Sequence, residues 1–199
     1  MVNAFACQQL SLEVGLELLN RLASISSARL GRRGDAHYAF PTPQDIARLP
    51  AEKYRAIGFS RQKVRALLDF ARPITRQELE LESVAREDDP VVRQRLLELR
   101  GVGRWTAEYV LLRGVGRLHV FPGDDVGAQK RLARWLGRSR PLDYAGVRRA
   151  VQRWQPYAGL VYFHLLLDGL SQAGALDRDP DCTSNGSIIE VSRPGLGSR

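Results

Sequence analysis

The sequence predicts an all-α fold, a compact helical bundle, over a chain of 199 residues. Apolar residues recur at three- and four-residue steps through most of the chain, which is the spacing of one helix face. Runs in which β-branched and polar residues alternate, the pattern of strands, are absent from the sequence. With 44% hydrophobic and 26% charged residues, the chain can build a core that needs neither disulfides nor a structural metal.

Capping and breaking residues set the ends of the predicted helices. Thr42-Pro43 opens a short helix, because a proline in the first turn loses no hydrogen bond. Ser60 caps the next helix, which Pro73 ends. Asp88-Asp89-Pro90 starts another, with acids at the positive end of its dipole. The predicted helices cover residues 4–25, 43–49, 61–71, 91–99, 105–113, 126–136, 144–154 and 160–173.

The sequence argues against several classes of protein. No stretch approaches the ~20 apolar residues of a membrane span, and Met1 to Leu10 lacks the pattern of a secretion signal. We therefore expect a cytoplasmic protein, nucleoid-associated if the source is prokaryotic. Cys7 and Cys182 are too few for an iron–sulfur cluster or a zinc ion, so neither is expected. Residues 1–176 are expected to form one domain, and the polar residues 177–199 a disordered tail.

The positive charge is concentrated in one part of the chain. Residues 100–153 contain twelve basic and four acidic residues, and so account for the whole net charge of +8. A basic segment within a folded domain is typical of proteins that bind a polyanion, because each neutralised phosphate releases counterions. The alternative is a solvated surface in an arginine-rich proteome.

The most informative stretch is Leu99-Arg100-Gly101-Val102-Gly103-Arg104-Trp105. One helix ends there, two glycines allow a tight turn, and a second helix starts at once. Gly101 and Gly103 leave backbone N–H groups open at the start of the new helix, where a phosphate oxygen can approach. The stretch predicts a hairpin that holds a nucleic-acid backbone without reading bases. An ordinary helix–helix turn is the alternative.

A second motif, Phe121-Pro122-Gly123-Asp124-Asp125-Val126-Gly127, follows about twenty residues later. Pro-Gly forces a turn, and the two acids stand at the start of the next helix, where acids usually serve as caps. A helix over residues 105–113 that then turns back would return these carboxylates to the end of the hairpin, beside a bound phosphate. The spacing therefore favours a catalytic carboxylate at this position.

Together the two motifs resemble the helix-hairpin-helix-GPD superfamily of DNA glycosylases, and within it the DNA-3-methyladenine glycosylase II branch. Ala6-Cys7-Gln8-Gln9-Leu10-Ser11 is similar to the first core helix of that branch. Phe40-Pro41-Thr42-Pro43 and Gly58-Phe59-Ser60-Arg61-Gln62-Lys63 also fall where the family has such segments. The similarity runs from about Asn3 to Ala175. It implies a compact helical bundle of the helix-hairpin-helix DNA glycosylase type.

The resemblance assigns roles to individual residues. Asp125 matches the catalytic aspartate, which stabilises an oxocarbenium-like sugar or orients water toward it, whereas Asp124 is expected to be a cap or a supporting residue. Bifunctional relatives carry a lysine where this chain has Trp105, so we expect base removal without strand cleavage. The aromatic residues expected to line the pocket for a flipped base are Trp105, Tyr109, Trp154 and Tyr157, with core packing as the alternative for each.

The same resemblance predicts the DNA contacts. Gln9 is expected to fill the gap left by the flipped nucleotide, with Gln8 and Ser11 beside it on the lesion side; polar residues on a wet helix face are the alternative. The expected contacts to the DNA backbone are Gly101, Gly103, Arg104, Thr106, Lys130 and Arg131. A monovalent cation at the hairpin carbonyls is implied as well. Relatives have a helix, and often a small β-rich domain, before the segment that matches Cys7-Gln8-Gln9, so an upstream portion is expected to be missing.

The expected function is that of a monomeric, monofunctional DNA glycosylase of base-excision repair. It would flip an alkylated purine such as 3-methyladenine out of duplex DNA and hydrolyse its N-glycosidic bond. The expected partner is double-stranded DNA that contains damaged bases. A glycosylase for oxidised or deaminated bases is the alternative enzyme, and a non-catalytic DNA-binding module that keeps the hairpin is the alternative from another class.

Overall fold

The computed structural model describes residues 1–26, 29–30, 37–172 and 174. Within them the chain forms eleven α-helices and one short pair of strands. The helices are α1 (Val2–Cys7), α2 (Leu12–Ser26), α3 (Pro43–Arg48), α4 (Ala51–Ala56), α5 (Arg61–Thr75), α6 (Leu81–Val84), α7 (Asp89–Glu98), α8 (Arg104–Arg113), α9 (Val126–Trp135), α10 (Tyr144–Val151) and α11 (Ala158–Gln172). The strands β1 (Arg29–Leu30) and β2 (His37–Tyr38) pair antiparallel. The predicted all-α class is confirmed, with this short pair as a local exception.

Helix α8 lies at the centre of the bundle. Its residues Thr106 to Leu112 are all buried, and α1 and α7 pack against it. Helix α1 also packs on α2 and α5, while α11 packs on α9. One cluster of buried apolar side chains joins these helices, and Phe5, Leu67, Leu111 and Tyr162 within it are at most 1% exposed. In the described part of the chain, no helix is long and apolar enough to cross a membrane.

The first predicted helix is in fact two helices, α1 and α2. Gln9 has a left-handed backbone with φ of +56°, which ends α1 and lets α2 fold back against it. Gly15 permits the close approach, since a β-carbon there would lie 2.5 Å from Sγ of Cys7. The prediction of one continuous helix is wrong because the apolar spacing continues across a turn that the backbone makes.

The other helix ends follow local signals in part. Thr42-Pro43 opens α3 and Ser60 caps α5, as predicted; the structure adds a capping box between Thr42 and Asp45. Pro73 does not end α5, which continues to Thr75, because a proline in the last turn removes only one helical hydrogen bond. Helices α4 and α6 are too short to show a periodic pattern, and the sequence did not predict them. The predicted tail, residues 177–199, lies outside the described residues.

Candidate active site

The predicted hairpin joins α7 to α8. Gly101 has a φ of +78°, and a β-carbon there would lie 2.7 Å from Cβ of Ala66 on α5. Glycine satisfies both the backbone conformation and the lack of space. Gly103 is the N-cap of α8 with an extended backbone, and its β-carbon position has no heavy atom within 4 Å. The N-terminus of α8 is therefore open to an approaching anion.

Gln8 anchors this hairpin from the end of α1. Its Nε2 donates to the carbonyl of Gly101 at 2.8 Å and to Oγ1 of Thr106 at 2.9 Å. Thr106 is only 2% exposed. The hydroxyl is therefore held inside the protein, and the contact of Thr106 with the DNA backbone stays a prediction. Gln8 therefore positions the hairpin, while its place on the lesion side stays a prediction.

Asp125 is the N-cap of α9, and its carboxylate accepts three hydrogen bonds. Oδ1 accepts from the N–H of Ala128 at 2.8 Å. Oδ2 accepts from the hydroxyl of Tyr162 at 2.8 Å and from Nε1 of Trp105 at 3.2 Å. The donors belong to α9, α11 and α8, so packing of three helices fixes the orientation of this half-buried side chain. Such a carboxylate is suited to stabilise positive charge that develops nearby.

Trp105 and Tyr109 form an aromatic wall on α8. Their ring centroids are 5.0 Å apart, with the planes inclined at 31°. The hydroxyl of Tyr109 donates to Oδ1 of Asn3 at 3.0 Å and accepts a hydrogen bond from Arg113. Burial raises the pKa of Tyr109. Tyr109 is 4% exposed whereas Trp105 is only partly buried, so Trp105 offers the more accessible ring.

Tyr162 is a site residue that the sequence did not reveal. Its ring meets that of Tyr109 edge-on, with centroids 6.4 Å apart. Burial, together with the charge of Asp125, raises the pKa of Tyr162 far above its usual range, so the hydroxyl stays a donor. Helix α11 packs closely at Gly159, whose N–H donates to the carbonyl of Leu118 at 2.7 Å, and this packing brings Tyr162 to Asp125. No local pattern marks Tyr162 among the many apolar positions of its helix.

A cavity of about 270 Å³ opens beside Asp125. Its volume is below the about 300–1,000 Å³ of pockets for larger ligands and suits a single flat base. Trp105, Tyr109 and Tyr162 form its aromatic part. The other lining residues are Cys7, Leu10, Ser11, Leu12, Glu13, Gly127, Arg131, Leu166, Gly169 and Leu170. We call this space the base cavity.

A wider cleft of about 640 Å³ lies next to the base cavity. Its lining residues include Gln9, Lys63, Gly101 and Gly103. Trp105 and Asp125 line both spaces. Asp125 therefore stands where the space beside the hairpin meets the aromatic cavity, which is the juxtaposition that the sequence spacing predicts.

Glu108, 3% exposed, holds the turn that leads into Asp125. Its carboxylate accepts the N–H of Gly123 at 3.0 Å and the hydroxyl of Tyr144 at 2.6 Å. Burial and the bond to Glu108 raise the pKa of Tyr144. A β-carbon at Gly123 would lie 2.7 Å from the Tyr144 ring, so the turn is closely packed. Two donors compensate the buried charge of Glu108 and fix the backbone that places Asp125.

Asp124 pairs with Arg104 and does not line the base cavity. Nη2 of Arg104 donates to Oδ1 of Asp124 at 2.9 Å, and the guanidinium lies 3.9 Å from the centroid of the Tyr144 ring. The hydrogen bond with Asp124 raises the pKa of Arg104. Asp124 thus ties its turn to the start of α8. Arg104 remains exposed at the hairpin, where the predicted contact with DNA backbone would occur.

Trp154 and Tyr157 do not line the base cavity, so their predicted place in its far wall is wrong. Trp154 ends a 3₁₀ turn after α10, packs against the core and lies beneath the guanidinium of Arg153 at 5.2 Å. Tyr157 is 58% exposed. Both residues precede α11, whereas the base cavity is lined by α11 from Tyr162 onward.

The other predicted DNA contacts fall in different places. Gln9 and Ser11 are exposed and line the cleft and the base cavity, respectively, and Lys130 is exposed on α9. Arg131 lines the base cavity, with its guanidinium against Gly127 and Gly169. Its contact with the DNA backbone stays a prediction.

Metal-binding side chains do not cluster in the described residues, where no three His, Cys, Asp or Glu side chains could hold an ion. The monovalent cation at the hairpin stays a prediction. Two carbonyls of the turn already accept hydrogen bonds, that of Gly101 from Gln8 and that of Leu99 from the N–H of Val102 at 3.1 Å.

Comparison with known proteins identifies the family. Residues 2–156 match the family described as HhH-GPD superfamily base excision DNA repair protein. The chain belongs to this superfamily. The HhH-GPD match includes the hairpin, Trp105 and Asp125, and it ends before Tyr162.

Several HhH-GPD proteins resemble this chain. DNA-3-methyladenine glycosylase 1 of Schizosaccharomyces pombe is 32% identical over 132 residues, which are 63% of this chain and 52% of that protein. The 3-methyladenine DNA glycosylase of Archaeoglobus fulgidus has a TM-score of 0.74 at 29% identity, covering 83% of this chain and 55% of that one. The S. pombe 3-methyladenine DNA glycosylase Mag1, solved with abasic DNA, has a TM-score of 0.70 at 26% identity and covers 83% and 76%. The chain spans about half the length of the curated relatives it matches.

Proposed function

We propose that this chain is a monofunctional DNA glycosylase, which binds duplex DNA and hydrolyses the N-glycosidic bond of a flipped-out alkylated purine such as 3-methyladenine. One observation carries the proposal: the carboxylate of Asp125, held by Trp105 and Tyr162, stands between the hairpin-lined cleft and the base cavity. The relatives named as 3-methyladenine glycosylases support the substrate class, and the one solved with abasic DNA supports the DNA partner.

The charge on Asp125 supplies the chemistry. When the bond between C1′ and the base nitrogen breaks, its electron pair leaves with the base and positive charge develops on the sugar. A fixed carboxylate beside C1′ stabilises that charge in the transition state. Water then adds to C1′ and loses a proton, which leaves an abasic site. An N-alkylated purine departs as a neutral molecule, so its bond needs little further assistance.

The hairpin and the aromatic wall serve the same step. Backbone N–H groups at the open N-terminus of α8 bind a phosphate and place the nucleotide at the mouth of the base cavity. Trp105 then offers its ring to the base, and a cation over such a ring gains ~0.5–2 kcal/mol. This stacking favours purines that alkylation has made cationic.

Strand cleavage is not expected, because it needs an amine that attacks C1′. Trp105 stands at the position where bifunctional relatives have a lysine, and an indole cannot act in this way. Lys63 lines the cleft, but its Nζ donates to the carbonyl of Ala6 at 2.8 Å. Borohydride trapping on DNA with an abasic site checks this point, and a covalent protein–DNA adduct would contradict it.

Release of 3-methyladenine from methylated duplex DNA tests the proposal, with the native chain compared with Asp125→Asn. Loss of the charge should slow release on the order of a hundredfold or more. Asp124→Asn is the matched control, since Asp124 has the same chemistry one residue away but faces Arg104, and it should retain most activity. Equal release by the native chain and Asp125→Asn would contradict the enzymatic assignment. Binding of DNA without any release would favour a non-catalytic hairpin module.

A further inference from the structure

A groove with a positively charged lining runs from the end of α9 along α10. Its volume is about 510 Å³, and none of its described lining residues also lines the base cavity or the cleft. Three exposed arginines line it, Arg138, Arg149 and Arg153, against a single acid among the described lining residues, Asp143. The Asp143 carboxylate is already engaged as the N-cap of α10, where Oδ1 accepts from the N–H of Gly146 at 2.7 Å. We call this space the basic groove.

Two arginines of the basic groove have no partner among the described residues. The side chains of Arg138 and Arg149 form neither a hydrogen bond nor an ion pair with any residue that the structure describes. Other arginines of this chain do pair with acids, as Arg117 does with Asp89 at 2.9 Å. The groove therefore keeps its positive charge for an anion from outside the protein. Because a solvated arginine needs no partner, the position of the groove has to decide what it binds.

The backbone beneath these arginines is fixed. After α9 the chain turns at Gly137, which has a left-handed φ of +67°, and the N–H of Arg138 donates to the carbonyl of Ala133 at 2.9 Å. Arg149 on α10 and Arg153 in the 3₁₀ turn that follows are four residues apart, so they stand one above the other on the same side. Cations at such spacing on a fixed backbone suit a polyanion whose charges are also regularly spaced.

The basic groove begins beside the hairpin. Tyr144, the first residue of α10, lies beneath the guanidinium of Arg104, whose Cζ is 3.9 Å from the ring centroid. Asp143, one residue earlier, already lines the groove. Arg149 follows Tyr144 by five residues, about 7.5 Å along α10. Phosphates of one strand succeed each other at about 3.4 Å along the axis of a duplex, so Arg149 lies within reach of phosphates a few base pairs from those at the hairpin.

We propose that the basic groove is a second DNA-binding surface, which holds the phosphate backbone of the duplex a few base pairs beyond the nucleotides at the hairpin. This inference rests on the proposed glycosylase function, in which the hairpin binds a phosphate beside the flipped nucleotide. The charge of the groove favours a polyanion, and its continuity with the hairpin through Tyr144 favours duplex DNA over an acidic peptide. Guanidinium groups bind phosphate without reading bases, so the groove adds affinity for damaged and undamaged duplex alike.

The salt dependence of binding counts the phosphate contacts. Dissociation constants are measured over a range of salt concentrations for a duplex that carries a tetrahydrofuran abasic analogue. The double variant Arg138→Gln/Arg149→Gln should reduce the slope of log K against log salt concentration by about two and weaken binding about tenfold at low salt. Arg72→Gln/Arg86→Gln is the matched control and should leave the slope unchanged. It removes the same charge from exposed arginines at the end of α5 and before α7, the ends of these helices that lie away from the cleft and the hairpin.

Neutral methylphosphonates locate the contact on the DNA. Each duplex of a series carries one short run of methylphosphonates, placed at increasing distance from the analogue. The native chain should lose at least about fivefold in affinity for a run at the analogue and for a second run separated from it. In Arg138→Gln/Arg149→Gln the second loss should shrink to less than about twofold, because the partners of those phosphates are already gone. The loss at the analogue should persist in all three proteins.

The outcomes are distinct. If the native chain binds none of the duplexes, the proposed DNA partner is overturned and this inference with it. Binding by the native chain with an unchanged slope in Arg138→Gln/Arg149→Gln overturns this inference alone and favours an acidic peptide as the occupant. A second loss that persists in this variant also overturns it. If circular dichroism shows that the variant is misfolded, the native chain still decides, because sensitivity confined to the analogue excludes a second contact.

Discussion

Replacement of Gly101 by alanine should destabilise the hairpin through two separable effects. A residue with a β-carbon at a φ of +78° pays about 1–2 kcal/mol for the left-handed conformation. The new methyl group would lie 2.7 Å from Cβ of Ala66, and forcing such a contact in a packed region costs about 1–3 kcal/mol. The free energy of unfolding should therefore fall by about 2–5 kcal/mol, a large share of the about 5–15 kcal/mol of a typical domain.

Gly103→Ala is the matched control two residues away. Its backbone is extended and its β-carbon position is empty, so the free energy of unfolding should fall by at most about 1 kcal/mol, the cost of alanine at an N-cap. Because the methyl group would stand where a phosphate approaches the N-terminus of α8, this variant should instead weaken binding to duplex DNA. Gly101→Ala thus reports on the stability of the fold, whereas Gly103→Ala reports on DNA binding.

Urea titrations followed by circular dichroism measure both effects, and a third variant isolates the steric one. Ala66→Gly removes the opposing methyl group and costs about 1 kcal/mol alone as a glycine within a helix. Combined with Gly101→Ala, it should recover the steric 1–3 kcal/mol, which appears as a coupling energy of about that size. Strict additivity, or a loss below about 0.5 kcal/mol in Gly101→Ala, would refute the reasoning.

Three further predictions concern other parts of the molecule. Tyr162→Phe removes one of the hydrogen bonds that fix the Asp125 carboxylate. It should slow single-turnover base release about tenfold and lower the free energy of unfolding by about 1–3 kcal/mol. If neither the rate nor the free energy of unfolding changes, Tyr162 does not position Asp125. Burial raises the pKa of Tyr54 to about 12, above its unfolded value of about 10, so its contribution to stability is complete below about pH 10 and is lost as the pH rises toward 12. Urea midpoints at pH 9 and pH 11 should therefore differ less in Tyr54→Phe than in the native chain, and equal differences would show that Tyr54 is not the group involved. Arg104→Ala should weaken binding to undamaged duplex DNA and reduce the slope of log K against log salt concentration by about one. Arg55→Ala is the control, because Arg55 is exposed and lies away from both the base cavity and the cleft, and it should leave the slope unchanged. Equal slopes in the native chain and both variants would show that Arg104 does not contact phosphate.

Local signals predicted much of the fold and the central pair of motifs. The first-turn proline of α3, the Ser60 cap and the two hairpin glycines act within a few residues, so the sequence alone was enough to place them. The return of Asp125 to the hairpin also followed from a helix length and a turn. Where a backbone turn interrupts an unbroken apolar pattern, as at Gln9, periodicity misplaced the helix.

The rest of the site depends on how distant helices approach one another. Tyr162 reaches Asp125 because α11 packs closely at Gly159, and Arg131 enters the base cavity because Gly127 and Gly169 leave space for it. Trp154 and Tyr157 were predicted in their stead, since aromatic type alone does not show which turn of a helix faces a cavity. Packing between distant helices determines where these four residues lie, and the spacing of residues along the sequence does not show that packing.

The central claim is that the Asp125 carboxylate stabilises positive charge on the sugar of a nucleotide presented by the hairpin. Its most direct test is the dissociation constant for two duplexes that differ in one group: a pyrrolidine abasic analogue, which is cationic where the oxocarbenium charge develops, and the neutral tetrahydrofuran analogue. We expect the native chain to bind the cationic duplex at least about tenfold more tightly and Asp125→Asn to bind both equally. Equal affinities in the native chain, or a preference that survives in Asp125→Asn, would contradict the account.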